Sequence, residues 1–258
     1  MTRLAVKIGY LGNEFTGSQI QPNFKTVEGQ ILSDLNNICH KSPEELDLKL
    51  ASRTDKGVNS LGNVAAFNTD FEDLDILLTA LNAVSKGIFY RSYAIVNKAF
   101  NVRFADARQY QYILPCDDID LHKAQDCAGL FVGEHNFERF CRSEGKPTTL
   151  TIDSITIKKC DNTLIIEYSA RYYLWNMIRR MTAAISAVGK GYRELSEVQD
   201  ALDGKDMTFG LTRPDALTLT DIIYKDVKFI IPEKNLFGNR IKEELFCNNL
   251  RSSFFKSL

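Results

Sequence analysis

Strand-like and helix-like segments follow one another in a similar order in the two halves of this chain. The alternating residues 3–9 predict a first strand, and Val27, Ile31 and Leu35 share one face of a helix that Thr26 can cap. The first half continues with further strands, a second helix and a final strand. The second half begins again with a strand, a helix and more strands. This order predicts an α+β architecture with a largely antiparallel sheet.

The chain length of 258 residues favours two modest domains. We place one domain at residues 1–104 and another at 105–232, and we expect the tail at 233–258 to be a packed helix. In the second domain, Asp161-Asn162 marks a hairpin turn, and a long helix is expected at about 174–188.

Composition and cysteine use limit the class of protein. With 44% hydrophobic and 25% charged residues, the chain can bury cores and is not a disordered tail. Charge interrupts the first residues too early for a signal peptide, and no apolar run nears the roughly 18 residues of a membrane span. The six cysteines include no CxxC pair, and the three histidines lack ligand spacing. We expect a soluble cytoplasmic protein with reduced, mostly core thiols, no metal site and no nucleotide cofactor.

Local rather than total charge decides whether nucleic acid is a partner. The net charge of -1 opposes binding by bulk positive charge. The stretch 171–193 nevertheless contains five basic residues and no acidic one. Such segregation favours a phosphate-binding face, which makes single-stranded or stem-loop RNA a candidate partner. The five basic residues are Arg171, Arg179, Arg180, Lys190 and Arg193.

Arg53 and Asp55 stand two residues apart where a predicted strand enters a loop. Residues i and i+2 of an extended chain share a face, so the guanidinium can lower the pKa of the carboxylate and fix its direction. Gly57 permits the turn that would leave Asp55 at a cleft, as a nucleophile or base. On spacing alone, a turn cap at Asp55 beside a solvated Arg53 is favoured over this catalytic interpretation.

A second pattern puts Arg108, Tyr110 and Tyr112 on one face of a strand. Two aromatic rings and a cation suit a nucleobase, because a ring stacks on a base for about 1–3 kcal/mol and a phenol can relay a proton. Taken alone, however, the pattern favours core tyrosines with their hydroxyls at the rim.

Together these segments resemble the tRNA pseudouridine synthase family of the TruA type, over most of the chain and in the right order. The stretch Ser52-Arg53-Thr54-Asp55-Lys56-Gly57-Val58 is similar to the family motif G-R-T-D-x-G-V, which is highly specific, and Lys56 resembles the archaeal and eukaryotic branch. Leu11, Ser18, Ser52 and Asn59-Ser60 depart from the usual Asp, Trp, Gly and His-Ala, but the Arg-Thr-Asp triplet is intact. Further agreement lies in Tyr10-x-Gly12-x-x-Phe15-x-Gly17, Thr26-Val27-Glu28, residues 61–67, Leu81-Asn82, and residues 100–104, 108–112, 133–137 and 174–179.

Position by position, the resemblance implies that Asp55 is the catalytic aspartate and Arg53 its paired arginine. Tyr110 matches the tyrosine that stacks on the target uracil, and Arg179 matches an arginine of the active-site cleft. The basic residues that we expect to contact RNA are Lys56, Arg103, Arg108, Arg171, Arg180, Lys190 and Arg193.

The resemblance also implies the pseudouridine synthase fold, in which two ferredoxin-like (RRM-like) α/β domains share a largely antiparallel sheet. It implies a homodimer that binds tRNA in basic clefts and isomerises uridines just after the anticodon, in the anticodon stem-loop, without a cofactor. The uridine should be flipped from its helix, after which the base leaves the anomeric carbon, rotates and reattaches through carbon 5. Asp55 can attack the sugar, attack the base or take a proton from the second carbon of the sugar, and the sequence leaves these three open.

Two other functions fit part of the pattern. A non-catalytic RNA-binding α+β protein would use the Arg-Thr-Asp turn structurally and the tyrosine strand as a stacking platform. A small-molecule glycosyl-transfer enzyme would use Asp55 on a free nucleoside. Activity that survives Asp55→Asn would remove the catalytic assignment of Asp55, and activity on free uridine comparable to that on tRNA would favour the glycosyl-transfer enzyme.

Overall fold

In the computed structural model, residues 1–233 and 237–256 are described, and one sheet runs through both halves of the chain. The elements of the first half are β1 (Thr2–Tyr10), α1 (Val27–Cys39), α2 (Pro43–Leu46), β2 (Lys49–Leu50), β3 (Asn59–Thr69), α3 (Leu74–Val84) and β4 (Ile88–Val96). In this half, β1 lies between β4 and β3, and β2 pairs with β3 on the side away from β1, so the sheet order is fourth, first, third and second strand.

The second half repeats this arrangement with one added edge strand. Its elements are β5 (Ala107–Pro115), α4 (Leu121–Leu130), β6 (Gly133–Asn136), β7 (Thr149–Cys160), β8 (Thr163–Ala170), α5 (Met177–Gly189), α6 (Leu195–Leu202) and β9 (Leu217–Ile223). The sheet order is β9, β5, β8, β7 and then β6 at the edge. Without β6, this is again the fourth, first, third and second strand of a β-α-β-β-α-β unit. The expectation of two ferredoxin-like α/β units on a shared, largely antiparallel sheet is therefore confirmed.

The two halves meet where β3 and β9 pair in parallel, with Asn59 opposite Thr218 and Ser60 opposite Leu219. A side chain at Gly62 would place its Cβ 2.5 Å from the carbonyl oxygen of Thr220, so only glycine permits this close approach. The boundary that we expect at 104/105 falls in the connection between β4 and β5. Because one sheet crosses from half to half, the division into separate domains stays a prediction.

The first helix forms as the sequence predicts, because the Thr26 hydroxyl accepts from the Gly29 N–H at the start of α1. At the start of α3, the Asp73 carboxylate accepts from the Ile76 N–H in a further cap. One core packs α1 and α3 on the sheet, and a second packs α4, α5 and α6 on it. Fully buried members of the first core include Leu4, Val6, Ile8, Ile31 and Phe67, and those of the second include Phe131, Tyr168, Met181 and Val198.

Three local details differ from the predictions. The helix expected from residue 174 begins at Met177, because the backbone of Trp175 pairs with Arg142 and Asn176 adopts a left-handed φ of 62°. The predicted strand that leads into the loop at Arg53 and Asp55 is reduced to the two residues of β2, since the short helix α2, capped by Ser42, lies just before it. Among the cysteines, Cys127 and Cys141 are buried while the other four are partly or fully exposed, so the thiols are not mostly in the core.

The helix α7 (Gly238–Lys256) lies in the stretch where we expect a helical tail. Arg240 anchors its start, with Nη1 donating to the carbonyl of Ile88 at 3.0 Å and the guanidinium over the Phe89 ring. Beyond this anchor, Ile241, Leu245, Phe246 and Leu250 are exposed rather than packed. Residues 234–236 and 257–258 of the expected tail lie outside the described residues. Within the described chain, no helix has the length and apolar character needed to cross a membrane.

Candidate active site

The loop between β2 and β3 carries Asp55, and an asparagine on β3 fixes the chain just before it. The side chain of Asn63 accepts from the Ser52 N–H at 3.2 Å and donates to the Ser52 carbonyl at 2.9 Å. Beyond Asp55, the Gly57 N–H donates to the carbonyl of Gly12 at 3.2 Å, with Gly57 at a φ of 88°. The loop is therefore held on both sides of the carboxylate, and its turn requires the glycine at position 57.

Thr54, next to Asp55, is held by two further contacts from the first half. Its N–H donates to the Ser18 hydroxyl at 2.8 Å, and its own hydroxyl is 2.8 Å from the hydroxyl of Tyr10. All three side chains are buried. The motif that this chain resembles usually has tryptophan at position 18. Here the Ser18 hydroxyl instead accepts the hydrogen bond from Thr54, next to Asp55.

The Asp55 carboxylate lies between groups from the second half of the chain. The indole N–H of Trp175 donates to Asp55 Oδ2 at 3.0 Å. Burial raises the pKa of Asp55 above its ordinary value of 3.8, and the negative charge of Glu144 adds to this rise. The Trp175 hydrogen bond and the positive charge of Arg179 act in the opposite direction on the pKa. The site thus holds a partly desolvated carboxylate whose ionised form depends on these two partners.

The expected pairing of Arg53 with Asp55 is wrong. Arg53 is exposed, and no ion pair or hydrogen bond joins it to Asp55 within residues 1–233 and 237–256. The pairing assumed an extended chain through both residues, but β2 ends at Leu50 and the chain turns after Asp55. The positive charge that acts on Asp55 comes instead from Arg179, on the other half of the molecule.

Arg179 lies in the first turn of α5, where two contacts orient its guanidinium. Nε donates to the carbonyl of Thr212 at 2.7 Å, and Nη1 donates to the Asn176 side chain at 3.1 Å. Burial lowers the pKa of Arg179, whereas the charge of Asp55 raises it. The structure therefore brings Arg179 and Asp55 together, as the resemblance implies.

Tyr110 lies on β5 beside the same site. Its ring packs edge-on against Tyr173, with the ring centroids 5.3 Å apart. Burial raises the pKa of Tyr110 to about 12, the neighbouring phenol Tyr10 and the charge of Asp55 add to the rise, and a hydrogen bond with Ser52 opposes it. The phenol is therefore neutral at physiological pH. The charge of Asp55 acts on the pKa of both Tyr110 and Arg179, so the structure places these two side chains near the carboxylate, and their roles remain a prediction.

Arg108 was expected to contact RNA, but the structure buries it. Its Nε donates to the Ser52 hydroxyl at 2.9 Å, and Nη2 donates to the carbonyls of Ala51 and Arg103 at 3.2 and 2.8 Å. Nη1 donates to the carbonyl of Arg171. Every nitrogen of the guanidinium is thus used within the protein, so Arg108 is bound to the chain at three places, residues 51–52, 103 and 171, and is not available to a phosphate.

Exposed basic and aromatic side chains surround this buried arginine. The Arg108 guanidinium binds Ser52, Arg103 and Arg171, so these segments lie side by side near the Asp55 loop. Phe104 is 75% exposed. We call this surface the rim; it consists of Arg53, Lys56, Arg103, Phe104, Arg171 and Tyr172, all of them exposed.

The remaining expected RNA contacts do not join the rim. Lys190 and Arg193 follow the far end of α5, about 16 Å from Arg179 along the helix axis at 1.5 Å per residue. Arg193 pairs with Glu197, with Nη1 and Oε1 2.7 Å apart. Arg180 keeps its Nε buried without a hydrogen-bond partner among the described residues. The basic stretch 171–193 therefore does not form one continuous face.

Several residues of the site have no assigned role from the sequence. Trp175 and Asn63 lie only within stretches that match the family, 174–179 and 61–67, and no pattern points to Glu144 or Arg142. The one available signal is the position of Trp175, the only tryptophan in the chain, inside the motif at 174–179. The contacts of the other three depend on segments that are distant in sequence.

A family model described as tRNA pseudouridine synthase matches residues 127–225. The protein named tRNA pseudouridine synthase A from Pyrococcus horikoshii is 39% identical, over 91% of this chain and 89% of that protein. The proteins of the same name from Pyrococcus abyssi and Methanosarcina barkeri are 37% and 34% identical, over 93% and 87% of this chain and 92% and 85% of their own lengths.

Among solved structures, the chain is similar to one chain of the crystal structure of a Cbf5-Nop10-Gar1 complex, at 11% identity and a TM-score of 0.37. That match covers 71% of this chain but 45% of the other, and it is too weak to support an argument. The similarity to the archaeal proteins is much stronger, because it extends at 37–39% identity over about nine-tenths of both sequences. The chain belongs to the tRNA pseudouridine synthase family.

Proposed function

We propose that this protein isomerises uridine to pseudouridine in tRNA and that Asp55 is the catalytic residue that starts the reaction. The single observation that carries the proposal is the convergence of Asp55, Arg179 and Tyr110 between the two halves of the chain. A carboxylate, a cation and an aromatic ring are the groups needed to attack, balance and hold a nucleoside. The names of the archaeal relatives support tRNA as the substrate.

The reaction needs no co-reactant. The bond from the sugar carbon C1′ to N1 of the base breaks, a bond from C1′ to C5 forms, and the hydrogen of C5 is lost while N1 gains one. Asp55 reacts as the ionised carboxylate in each of its three open roles, at C1′, at the base or at the C2′ proton. Arg179 favours that ionised form, against the effects of burial and Glu144.

Tyr110 would hold the freed uracil. Its ring is rigid because Tyr173 packs against it, and a flipped base can stack on an aromatic face. A phenol with a pKa of about 12 does not ionise at neutral pH, so its first role is to hold the ring and donate a hydrogen bond. Retention of the base between cleavage and reattachment is what allows an isomerisation rather than a hydrolysis.

The rim would bind the RNA backbone. Four exposed cations lie on the rim near the Asp55 loop, and exposed cations bind phosphates. They are Arg53, Lys56, Arg103 and Arg171. Arg53 then contacts RNA instead of pairing with the carboxylate. Because the chain as a whole carries a net charge of -1, binding depends on this local surface.

The anticodon stem-loop, and the uridines just after the anticodon, are the proposed target. The experiment is to map pseudouridine by sequencing in tRNA from cells that lack this protein, and then to treat that tRNA with the purified protein. We expect pseudouridine to be missing just after the anticodon and to return on treatment. An unchanged pseudouridine map, with no new modification after treatment, would contradict the proposal and favour a non-catalytic RNA-binding protein.

A homodimer, acting in the cytoplasm, is the proposed assembly. The exposed apolar side chains of α7, among them Leu245, Phe246 and Leu250, support it, because a second copy would cover them. All six cysteines are free, which fits a reducing compartment. Light scattering should give twice the mass of one chain and a smaller mass for Leu250→Glu. A wild-type monomer at micromolar concentration would contradict the dimer.

A further inference from the structure

We propose that Trp175 is a positioning residue, which sets the direction of the Asp55 carboxylate, and that Arg142 holds Trp175 in place. The inference rests on the proposed function, since it concerns how Asp55 is prepared for the reaction. It adds a role for two residues that contact the catalytic carboxylate directly or through one neighbour.

The hydrogen bond from Trp175 to Asp55 is the first observation. Trp175 Nε1 donates to Asp55 Oδ2 at 3.0 Å, and within the described chain it is the only donor bound to that carboxylate. One donor on one oxygen fixes the rotation of the carboxylate and leaves the other oxygen free to meet a substrate. Asp55 therefore presents a chosen oxygen to the cleft.

The second observation is that Trp175 is itself held at two points. Its carbonyl accepts from the N–H of Arg142 at 2.9 Å, and the Arg142 guanidinium lies over the indole at 4.4 Å from the ring centroid. The next residue, Asn176, has a φ of 62° and opens α5. The indole is 36% accessible, and stacking by the Arg142 cation limits its rotation further.

The charged and titratable groups around Asp55 come from three segments. Arg179 on α5 is positive, Glu144 on the loop after β6 is negative, and Tyr110 on β5 is neutral at physiological pH. Arg142 and Glu144 belong to the same loop, so a shift of that loop would change both the support of Trp175 and the charge near Asp55. Trp175 is the neutral donor in this group, and its loss would remove a contact that favours the ionised carboxylate.

Trp175 is the only tryptophan in the chain, so its fluorescence reports on this contact without any assay of activity. We expect the emission of the wild-type protein to change stepwise as pH is lowered and Asp55 takes up a proton. The step should vanish in Asp55→Asn and persist in Glu144→Gln. The same step in Asp55→Asn as in the wild type would overturn the inference, whether or not the protein makes pseudouridine.

Kinetics test the functional half of the inference. Trp175→Phe keeps a ring for Arg142 but removes the N–H, and we expect kcat to fall about tenfold, as for a lost hydrogen bond to a charged group, with KM for tRNA within about twofold. The acid limb of the kcat profile should move to higher pH. Arg142→Gln should lower kcat by a smaller factor, about threefold, with the same shift. The matched control is Tyr192→Phe, a conservative change at an exposed ring beyond the far end of α5 and outside the rim, which should leave both kcat and the acid limb unchanged.

The outcomes separate the two proposals. Unchanged kcat and an unchanged acid limb in Trp175→Phe, in a preparation whose wild type is active, would overturn the positioning role alone. A wild type that makes no pseudouridine would overturn the proposed function, and the fluorescence step would still decide whether Trp175 senses Asp55.

Discussion

Arg108 donates a hydrogen bond from Nε to the hydroxyl of Ser52 at 2.9 Å, so a buried guanidinium of the second half holds the chain three residues before Asp55. The same group binds the carbonyls of Ala51, Arg103 and Arg171. Burial lowers the pKa of Arg108, which is tolerable because each nitrogen has an acceptor. The position of the catalytic loop therefore depends on an arginine that never meets the substrate.

Replacement of Arg108 tests this structural role. Arg108→Met leaves four acceptors without their donor, and we expect the free energy of unfolding to fall by about 3 kcal/mol or more. Urea denaturation measures the loss. The matched control is Arg171→Gln, whose exposed side chain should change the free energy by no more than about 0.5 kcal/mol. Equal stability of Arg108→Met and the wild type would remove the role.

The rim predicts which basic residues bind tRNA. Arg103→Gln and Arg171→Gln should each weaken tRNA binding severalfold and reduce the slope of log affinity against log salt concentration by about one. Arg193→Gln should change neither quantity much, because Arg193 pairs with Glu197 at the far end of α5. Filter binding across a salt series checks this. An equal loss in all three variants would mean that the basic stretch acts as one face after all.

The pH dependence of the reaction follows from the direction of the Asp55 pKa. The ionised carboxylate is the active form, and burial raises its pKa above 3.8, so activity should fall as pH drops through a value above 3.8. Arg179→Gln removes the positive charge that opposes this rise, which should move the acid limb further up and lower kcat at least tenfold. Arg179→Lys keeps the charge, and its limb should lie between the two. An acid limb that is the same in all three proteins would show that Arg179 does not act on Asp55.

Two substitutions at Tyr110 separate the ring from the hydroxyl. Since a phenol with a pKa of about 12 is a poor base at neutral pH, we expect Tyr110→Phe to retain much more activity than Tyr110→Leu. Single-turnover rates on tRNA measure both. Equal and severe losses in the two variants would instead assign the hydroxyl to removal of the C5 proton.

Local sequence patterns predict much of the fold because they depend on neighbouring residues. The cap at Thr26 and the hairpin between β7 and β8 fall where spacing places them. The parallel pairing of β3 with β9 could not be found this way, since it joins Asn59 to Thr218 across the whole chain. This pairing requires glycine at position 62, because a side chain there would collide with the carbonyl of Thr220. The requirement can be recognised only once the two strands are known to be neighbours.

The site shows the same division. The motif around Asp55 predicts where the carboxylate lies, and Tyr110 and Arg179 do converge on it. The predicted partner of the carboxylate, Arg53, is wrong. The prediction assumed an extended chain through Arg53 and Asp55, but β2 ends at Leu50. Arg108 looks like any other basic residue in the sequence, and its burial depends on four acceptors, three of which lie far from it in sequence, at Ala51, Ser52 and Arg171.

The most direct test of the account replaces the catalytic carboxylate with its neutral isostere, Asp55→Asn. We expect pseudouridine formation on tRNA to fall by at least about a hundredfold, with tRNA affinity within about twofold of the wild type. The fold should not weaken. The pKa of Asp55 is higher in the folded protein than in the unfolded chain, so ionised Asp55 destabilises the fold at neutral pH. The neutral amide of Asp55→Asn removes this destabilisation. Pseudouridine formation close to the wild-type rate in a folded, tRNA-binding Asp55→Asn protein would contradict the account.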